Sequence, residues 1–480
     1  MPLRNEVVVF CNRHLDSAGY RQAAKVTTWS PDPAAMPIFT RRRIQTMLDD
    51  LIGIAAPSQF IGRLNDKRFE NALPAEAELA LVWATSRLGG FESEPVWYSP
   101  EGRLPEGIST ALFPGHDTVF DVKAVSDRVI PGVVGMRTIS AKLVEAANKA
   151  RKGAGKNLRF FFYERRDYQN PKLHRSIYAP PDHVLGEAAL RTLAQFVCSS
   201  PEEGANVDIV DGEMAVRVTW KPGTHSIFNH RSSTVNEIFD ADDNYIAAAL
   251  REKAKQLRSP NFAGLKGVLL ADIGSATLKA ITSIDRLSRS ASGQQIIQRH
   301  LDKPDGGLDF VCVFSPRREM NSWGDDQRYW KVTAFSRNGL ILPLDGLNAL
   351  AEQLPKPRFD GWQLEHLHEQ RLFGEKSHGW HLGSRLTSNM ADHKMTFTFS
   401  SRALHEFLAG RIDGDRLRNN MIGLTSAFEH QLARGHTIQG ARIVPGGIDQ
   451  DDDLIELTFA PDPAASPFED RSPPKTSISE

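Results

Sequence analysis

Cysteine is almost absent: Cys11, Cys198 and Cys312 are the only three in 480 residues, and they lie far apart. That spacing excludes a disulfide framework and a cysteine-rich zinc centre, and it suits small buried hydrophobes in a reducing compartment. Long apolar runs are missing too. None approaches the ~20 residues a spanning helix needs, so no membrane partner is expected. At the amino terminus the only apolar stretch is Val7–Phe10, too short for a signal peptide, which makes a cytoplasmic location the expectation. Nor is there an excess of either charge: 58 Lys and Arg against 59 Asp and Glu leave a formal net charge of −1. No global field draws the chain to nucleic acid, and any basic surface must be local. Arg151-Lys152-Gly153-Ala154-Gly155-Lys156 has neither the preceding strand nor the following Ser/Thr of a phosphate loop, and no Gly-x-Ser-x-Gly elbow occurs. A nucleotide motor and a serine hydrolase are thereby disfavoured.

What is present is globular. Hydrophobic residues make up 40% and charged residues 24%, and the length calls for two to four domains. Five regions are read: an N-terminal region 1–70, an α/β domain 71–178, a second α/β domain 179–316, a mixed α+β region 317–459 and a disordered Pro-, Ser- and acid-rich tail 460–480. In the first region a strand is predicted at Val7–Phe10 and a helix at Arg41–Ile54. Pro74 opens the next helix, in which Leu79, Val82, Trp83 and Ser86 share a face, and Gly89-Gly90 ends it. A strand at Glu94–Tyr98, a loop over Ser99–Gly115, a strand at Thr118–Val125 and a helix at Ser140–Lys152 follow. Leu158–Tyr163, with three consecutive phenylalanines, reads as a buried strand of the same domain.

Farther on, helices are predicted at Val184–Cys198, Asn244–Leu257 and Gly293–Leu301. Strands are predicted at Val207–Val210, Ala215–Trp220, Gly267–Ile273 and Phe310–Ser315. The polar, turn-rich Arg317–Arg328 marks a domain boundary, beyond which lie a strand at Met395–Ser400 and a helix at Ser401–Leu408.

Chemistry gathers on the strand Thr118–Val125. Alternation puts Asp117, Val119, Asp121 and Lys123 on one face, with Phe120, Val122 and Ala124 on the other. Carboxylate oxygens are what a hard divalent cation takes, and Mg²⁺ keeps several waters while binding one or two of them together with phosphate. Such an ion would activate water and stabilise a leaving oxygen. Lys123 would orient the water or offset charge on the phosphate, and Glu78 on the helix would add a ligand or hold a metal-bound water.

Glu78-Leu79, Leu88-Gly89-Gly90, Glu94-Pro95-Val96 and Asp121-Val122-Lys123 together resemble the PD-(D/E)XK nuclease superfamily. The resemblance covers about residues 73–163. It implies a restriction-endonuclease-like mixed sheet flanked by helices, Mg²⁺ (or Mn²⁺) as cofactor, and metal-dependent cleavage of nucleic acid, with DNA favoured. Anti-phage effectors belong to the same superfamily. Its first acidic residue usually lies farther upstream than Asp117, across a hairpin, so Glu106 in Pro105-Glu106 stands as the alternative to Asp117 as metal ligand beside Asp121. The same resemblance leaves a second reading, a catalytically inactive nuclease-like subunit that binds nucleic acid or protein.

A basic stretch follows. Lys149, Arg151, Lys152, Lys156, Arg165 and Arg166, interleaved with Tyr163, have the character of a phosphate-backbone contact. His366, His368, His378 and His381 match no closed zinc spacing. The middle and C-terminal regions are expected to serve a partner protein or self-association.

Overall fold

Where a strand is apolar on both faces it must be covered on both, and β10 (Leu265–Asp272) has Val268 to Asp272 wholly buried. It lies near the middle of a six-stranded sheet of order β1-β2-β3-β10-β11-β12. In this computed structural model the described residues are 38–462, apart from several short segments and residues 359–384. They divide into two compact units, one within Thr46–His368 and one within Thr40–Gln45 and Glu369–Glu480.

The first unit begins with the later part of α1 (Arg41–Asp50), then α2 (Ser58–Leu64) and α3 (Phe69–Ser86). Pro74 lies inside α3 instead of opening it, where it removes one backbone donor without ending the helix. β1 (Phe91–Ser93), β2 (Gly107–Ser109) and β3 (Thr118–Val125) form an antiparallel meander. The predicted strand at Glu94–Tyr98 is not one. Glu94 adopts a left-handed φ of 45°, which stops the extended run, and Val96–Tyr98 closes as a single 3₁₀ turn. The predicted loop Ser99–Gly115 in turn contains β2.

From β3 the chain leaves the sheet. α4 (Pro131–Ala150), β4 (Leu158–Phe162), β5 (Glu164–Gln169), β6 (Lys172–Ile177), α5 (Glu187–Cys198), β7 (Asn206–Asp211), β8 (Met214–Trp220) and β9 (His230–Ser232) come before the return at α6 (Tyr245–Gln256). β4 is therefore not in the main sheet; it belongs to a separate sheet of order β7-β8-β4-β9. The reason is visible in the phenylalanines. Phe160 and Phe162 are buried while Phe161 between them is not, so β4 has one core face rather than two. That face joins Ile139, Leu143, Leu193, Val197, Val216 and Val218 in a core of its own. The helix and strand that complete the main sheet are α6 and β10, and β10 runs parallel to β3.

α7 (Ala276–Lys279) and α8 (Gly293–Leu301) lead to β11 (Phe310–Met320), which is parallel to β10, and β11 turns into the antiparallel β12 (Asp326–Ser336). Arg317–Arg328, expected to be a boundary, spans the arms of this hairpin. Its charges fit strands whose far ends leave the core. α9 (Asp345–Gln353) follows.

The second unit is an antiparallel sheet of order β13-β14-β16-β15, made of β13 (Arg385–Asn389), β14 (Lys394–Ser400), β15 (His436–Val444) and β16 (Leu454–Pro461), with α10 (Ser401–Leu408) and α11 (Leu424–Ala433). Phe397, Phe399 and Phe459 form its centre. Ala460 and Pro461, assigned from sequence to the tail, are the last residues of β16 and pair with Thr437 and His436. The rest of the tail from residue 463, the strand at Val7–Phe10, Cys11 and the four histidines His366 to His381 lie outside the described residues. Among the described residues no helix is long and apolar enough to cross a membrane.

The excursion out of the main sheet is closed at its root. Tyr245, the first residue of α6, donates its hydroxyl proton to Asp127 Oδ1 at 2.6 Å, just beyond the end of β3. The other oxygen, Oδ2, accepts from the Ala276 amide at 3.1 Å, and burial pushes the Asp127 carboxyl up to about 6. Tyr245→Phe leaves this buried carboxylate short of a donor. The expected outcome is a loss of about 1–3 kcal/mol in chemical denaturation, with the circular dichroism spectrum unchanged; a neutral result would show the clasp to be energetically idle.

Candidate functional site

Pairing between β2 and β3 builds the site. The ladder ends at the Gly107–Phe120 pair, and Glu106, the residue just before β2, comes close enough to Asp121, the residue just after Phe120, for their charges to interact. Directly opposed residues have Cβ atoms about 5 Å apart, whereas residues four apart on one strand are separated by about 13 Å. The geometry therefore brings Glu106, and not Asp117, to Asp121. Asp117 is exposed at the start of β3, and its backbone carbonyl accepts from the Leu265 amide at 2.9 Å.

The alternation read for β3 holds, and from Thr118 to Val122 both of its faces are buried. Val119 and Val125 enter the core beneath α6 and α8, while Phe120, on the opposite face, stacks near Phe91 at 6.2 Å. Asp121 has no solvent exposure at all. Its Oδ1 accepts from Lys253 Nζ of α6 at 2.7 Å, and its Oδ2 has no hydrogen-bond partner. Burial raises the Asp121 carboxyl above its ordinary range, and the Lys253 ammonium opposes that rise.

The half-buried Glu106 carboxyl is pushed further, to about 8. Burial is the main cause, with repulsion from Asp121 and Glu78 added and Lys253 acting against them. Glu78 is itself buried on α3 and accepts a hydrogen bond from Arg63 of α2. Three carboxylates, on α3, on β3 and on the turn before β2, thus feel one another's charge. Lys123 lies farther out: its side chain is 34% exposed and pairs with Glu252 at 3.3 Å.

Lys253 carries no motif that sequence reading could have used. It follows Glu252 on an ordinary amphipathic helix, 132 residues from its partner. What aims it is the fastening of α6. Asn244 caps the helix by accepting from the Ala247 amide, Gln256 Nε2 donates to the Leu104 carbonyl at 2.8 Å, and Tyr98 donates to the Leu257 carbonyl.

The basic residues are spread differently. Lys149 is exposed and pairs with Glu145 at 2.7 Å within α4. Arg151 is a structural tie, donating to the Val197 carbonyl at 3.0 Å and lying over Trp220. Lys152 and Lys156 are exposed on the turn before β4, and Arg165 and Arg166 lie on β5, paired with Ser176 and Arg175.

As for a divalent ion, Asp121 on β3 and Glu106 on the turn just before β2 could offer oxygens, and the unpartnered Oδ2 of Asp121 is an acceptor without a donor. Two carboxylates with water completing the shell are an Mg²⁺-type donor set. Among the described residues no group of three or more His, Cys, Asp or Glu is gathered tightly enough to hold an ion unaided. The residues present fit a hydrated ion held by two carboxylates.

The folded protein keeps the Glu106 proton up to about 8, whereas an unperturbed glutamate releases it near 4.5. The folded state therefore binds this proton more tightly, and its stabilising effect is lost as pH rises between those values. In EDTA, the wild-type melting temperature should fall from pH 5 to pH 8 relative to Glu106→Gln, by the equivalent of up to about 1.4 kcal/mol per pH unit. Parallel profiles for the two proteins would contradict the burial of this carboxyl.

The chain matches no family model, no curated protein and no solved structure.

Proposed function

We propose that the first unit is a divalent-metal-dependent phosphodiesterase acting on nucleic acid, DNA rather than RNA, with Glu106 and Asp121 as the carboxylates that take the ion. The observation that carries this reading is the wholly buried Asp121, with one carboxylate oxygen lacking a hydrogen-bond partner, close enough to Glu106 for the two charges to repel. Buried carboxylates with displaced titration, grouped with ammonium and guanidinium groups, are characteristic of functional sites. The element order also supports a restriction-endonuclease-like core. It is a helix (α3), three antiparallel strands (β1 to β3), a helix (α6) and a strand parallel to the third (β10), with residues 126–244 inserted after the third strand.

When bound, Mg²⁺ or Mn²⁺ would activate a water molecule and stabilise charge on the phosphate. Glu106 and Asp121 would hold it, and Glu78, steadied by Arg63, would receive a hydrogen bond from its water shell. The low-dielectric strands around Asp121 would strengthen these interactions over their value in water. Lys152 and Lys156, with Arg165 and Arg166, would meet the phosphate backbone on the inserted sheet. A defence effector is one role such an enzyme would fit.

A second reading, a non-cutting nucleic-acid-binding subunit, draws on one observation: Lys253 already neutralises Asp121. Incubation of plasmid, linear duplex, single strands and RNA with Mg²⁺, Mn²⁺ or EDTA separates the two. On the enzymatic reading Glu106→Gln and Asp121→Asn each lower metal-dependent cleavage by at least about 10²-fold, while Asp117→Asn stays near wild type. Inactive Asp117→Asn with active Glu106→Gln would move the site to the exposed strand end. Absence of cleavage on every substrate, with binding intact, would favour the subunit.

Replacing Lys152 and Lys156 together by alanine should flatten the slope of log affinity against log salt by up to about two units, and weaken all duplex sequences alike. Arg151 is left in place because its loss would loosen α4 from α5. An unchanged slope would mark the pair as a solvated surface.

A further inference from the structure

Two lysines compete for the role of the site's ammonium, and their surroundings differ. Lys123 sits on the same strand as Asp121 but turns to Glu252, a half-exposed carboxylate on the outer side of α6. Lys253 reaches inward. Its side chain is only 13% exposed, its Nζ donates to Asp121 Oδ1 at 2.7 Å, and Gln256 Oε1 accepts from the same nitrogen at 3.2 Å. Gln256 in turn donates to the carbonyl of Leu104, two residues before Glu106. One helical turn thus connects the ammonium, the buried carboxylate and the segment that carries the second carboxylate.

From this arrangement we infer that Lys253, and not Lys123, is the working ammonium of the site: it is the built-in counter-ion of Asp121, which a divalent cation must displace, and the displaced ammonium then faces the phosphate. The inference rests on the reading of Glu106 and Asp121 as metal-holding carboxylates. A cation approaching Asp121 Oδ2 meets an ammonium already bound at Oδ1, and like charges this close repel strongly in a buried environment. Lys253 therefore weakens metal binding while it stays on Asp121. It is freed on a short tether, still held near Leu104 by the rest of α6. Lys123 cannot substitute, since Glu252 neutralises it on the outer side.

The role divides into two effects of opposite sign. Removing the Lys253 charge tightens metal binding and yet abolishes turnover. A residue that merely supports the fold would weaken both. Removing the Lys123 charge changes neither by much.

The test uses the full-length protein and Mn²⁺ alone as probe, with free ion followed by electron paramagnetic resonance and by titration calorimetry. Cleavage of linear duplex is measured separately. Lys253→Met is expected to bind Mn²⁺ roughly ten-fold tighter than wild type and to lose at least about 10²-fold in cleavage, while Lys123→Met stays within about three-fold on both counts. Asp121→Asn should bind no Mn²⁺. Should Lys253→Met not fold, Lys253→Gln, neutral but still able to donate to Asp121, is measured in its place with the same expectation. Equal Mn²⁺ affinity in wild type and the Lys253 variant, or loss of cleavage in Lys123→Met in place of Lys253→Met, overturns the inference while the metal reading stands. No Mn²⁺ binding by wild type overturns both.

Discussion

A carboxylate with no exposure in the middle of a central strand is the constraint around which the first unit is arranged. Placing Asp121 between Val119 and Lys123 under α6 removes it from water, which costs several kcal/mol for a charged group after relaxation. Lys253 offsets part of that cost, at 2.7 Å and nearly as deep. An apolar side chain would fill the same place with no such cost, and replacing buried ion pairs by well-packed hydrophobes is often stabilising. Stability therefore gives no reason for Asp121. A carboxylate that the fold must tolerate is better explained by what its free oxygen can bind.

Tolerating it governs the placement of α6. The helix is pinned at its first turn through Tyr245 and Asp127, and at its last through Gln256, Leu257 and Tyr98. Between these anchors Ile246 and Leu250 enter the core of the main sheet, so Lys253 has little freedom to miss its partner. The same first-turn anchor solves the topological problem of the insertion. Because Tyr245 meets Asp127, residues 128–244 leave and return at one point. Most of them build a core of their own on Phe160, Leu193 and Val218, while Ile238, near the return, joins that of the main sheet. Two hydrophobic cores with no residue in common are specified by separate sets of apolar positions.

This independence explains which parts of the architecture were legible in the sequence. β3 was, because alternation of apolar and charged residues over eight positions leaves little choice of face. α5, α6, α8, β7, β8, β10 and β14 also emerged within a few residues, from periodicity and caps. The Asp/Glu-x-Lys triplet pointed to Asp121, and the sheet does place a carboxylate beside it. The choice between Asp117 and Glu106 was not legible, because β2 is only three residues long and hidden between Pro105 and a turn. A strand that short has no period to detect, yet its register decides which carboxylate meets Asp121. The insertion was equally hidden. Leu158–Phe162 has the composition of a strand buried on both sides, and only the burial of Phe160 and Phe162 without Phe161 shows that it has a single core face. Lys253 gave no local signal, since its meaning depends on a contact across 132 positions.

Charge balance ties these pieces together. Glu78, Glu106 and Asp121 are three acids, and Arg63 and Lys253 are the two cations closest among them. Glu78 has Arg63 and Asp121 has Lys253, which leaves Glu106 without a cation of its own. Glu94 adds a weaker negative contribution from the same side. In a medium where an unpaired buried charge is costly, the excess is resolved by a proton, and Glu106 is the group that keeps one to about 8. On the proposed reading a divalent cation would be the other resolution, replacing the Glu106 proton and relieving Lys253 of Asp121 at once. The pocket is therefore neutral and stable without metal, yet short of one positive charge whenever Glu106 ionises. The acid that stood in the sequence only as the alternative to Asp117 is the one that electrostatics leaves unmatched.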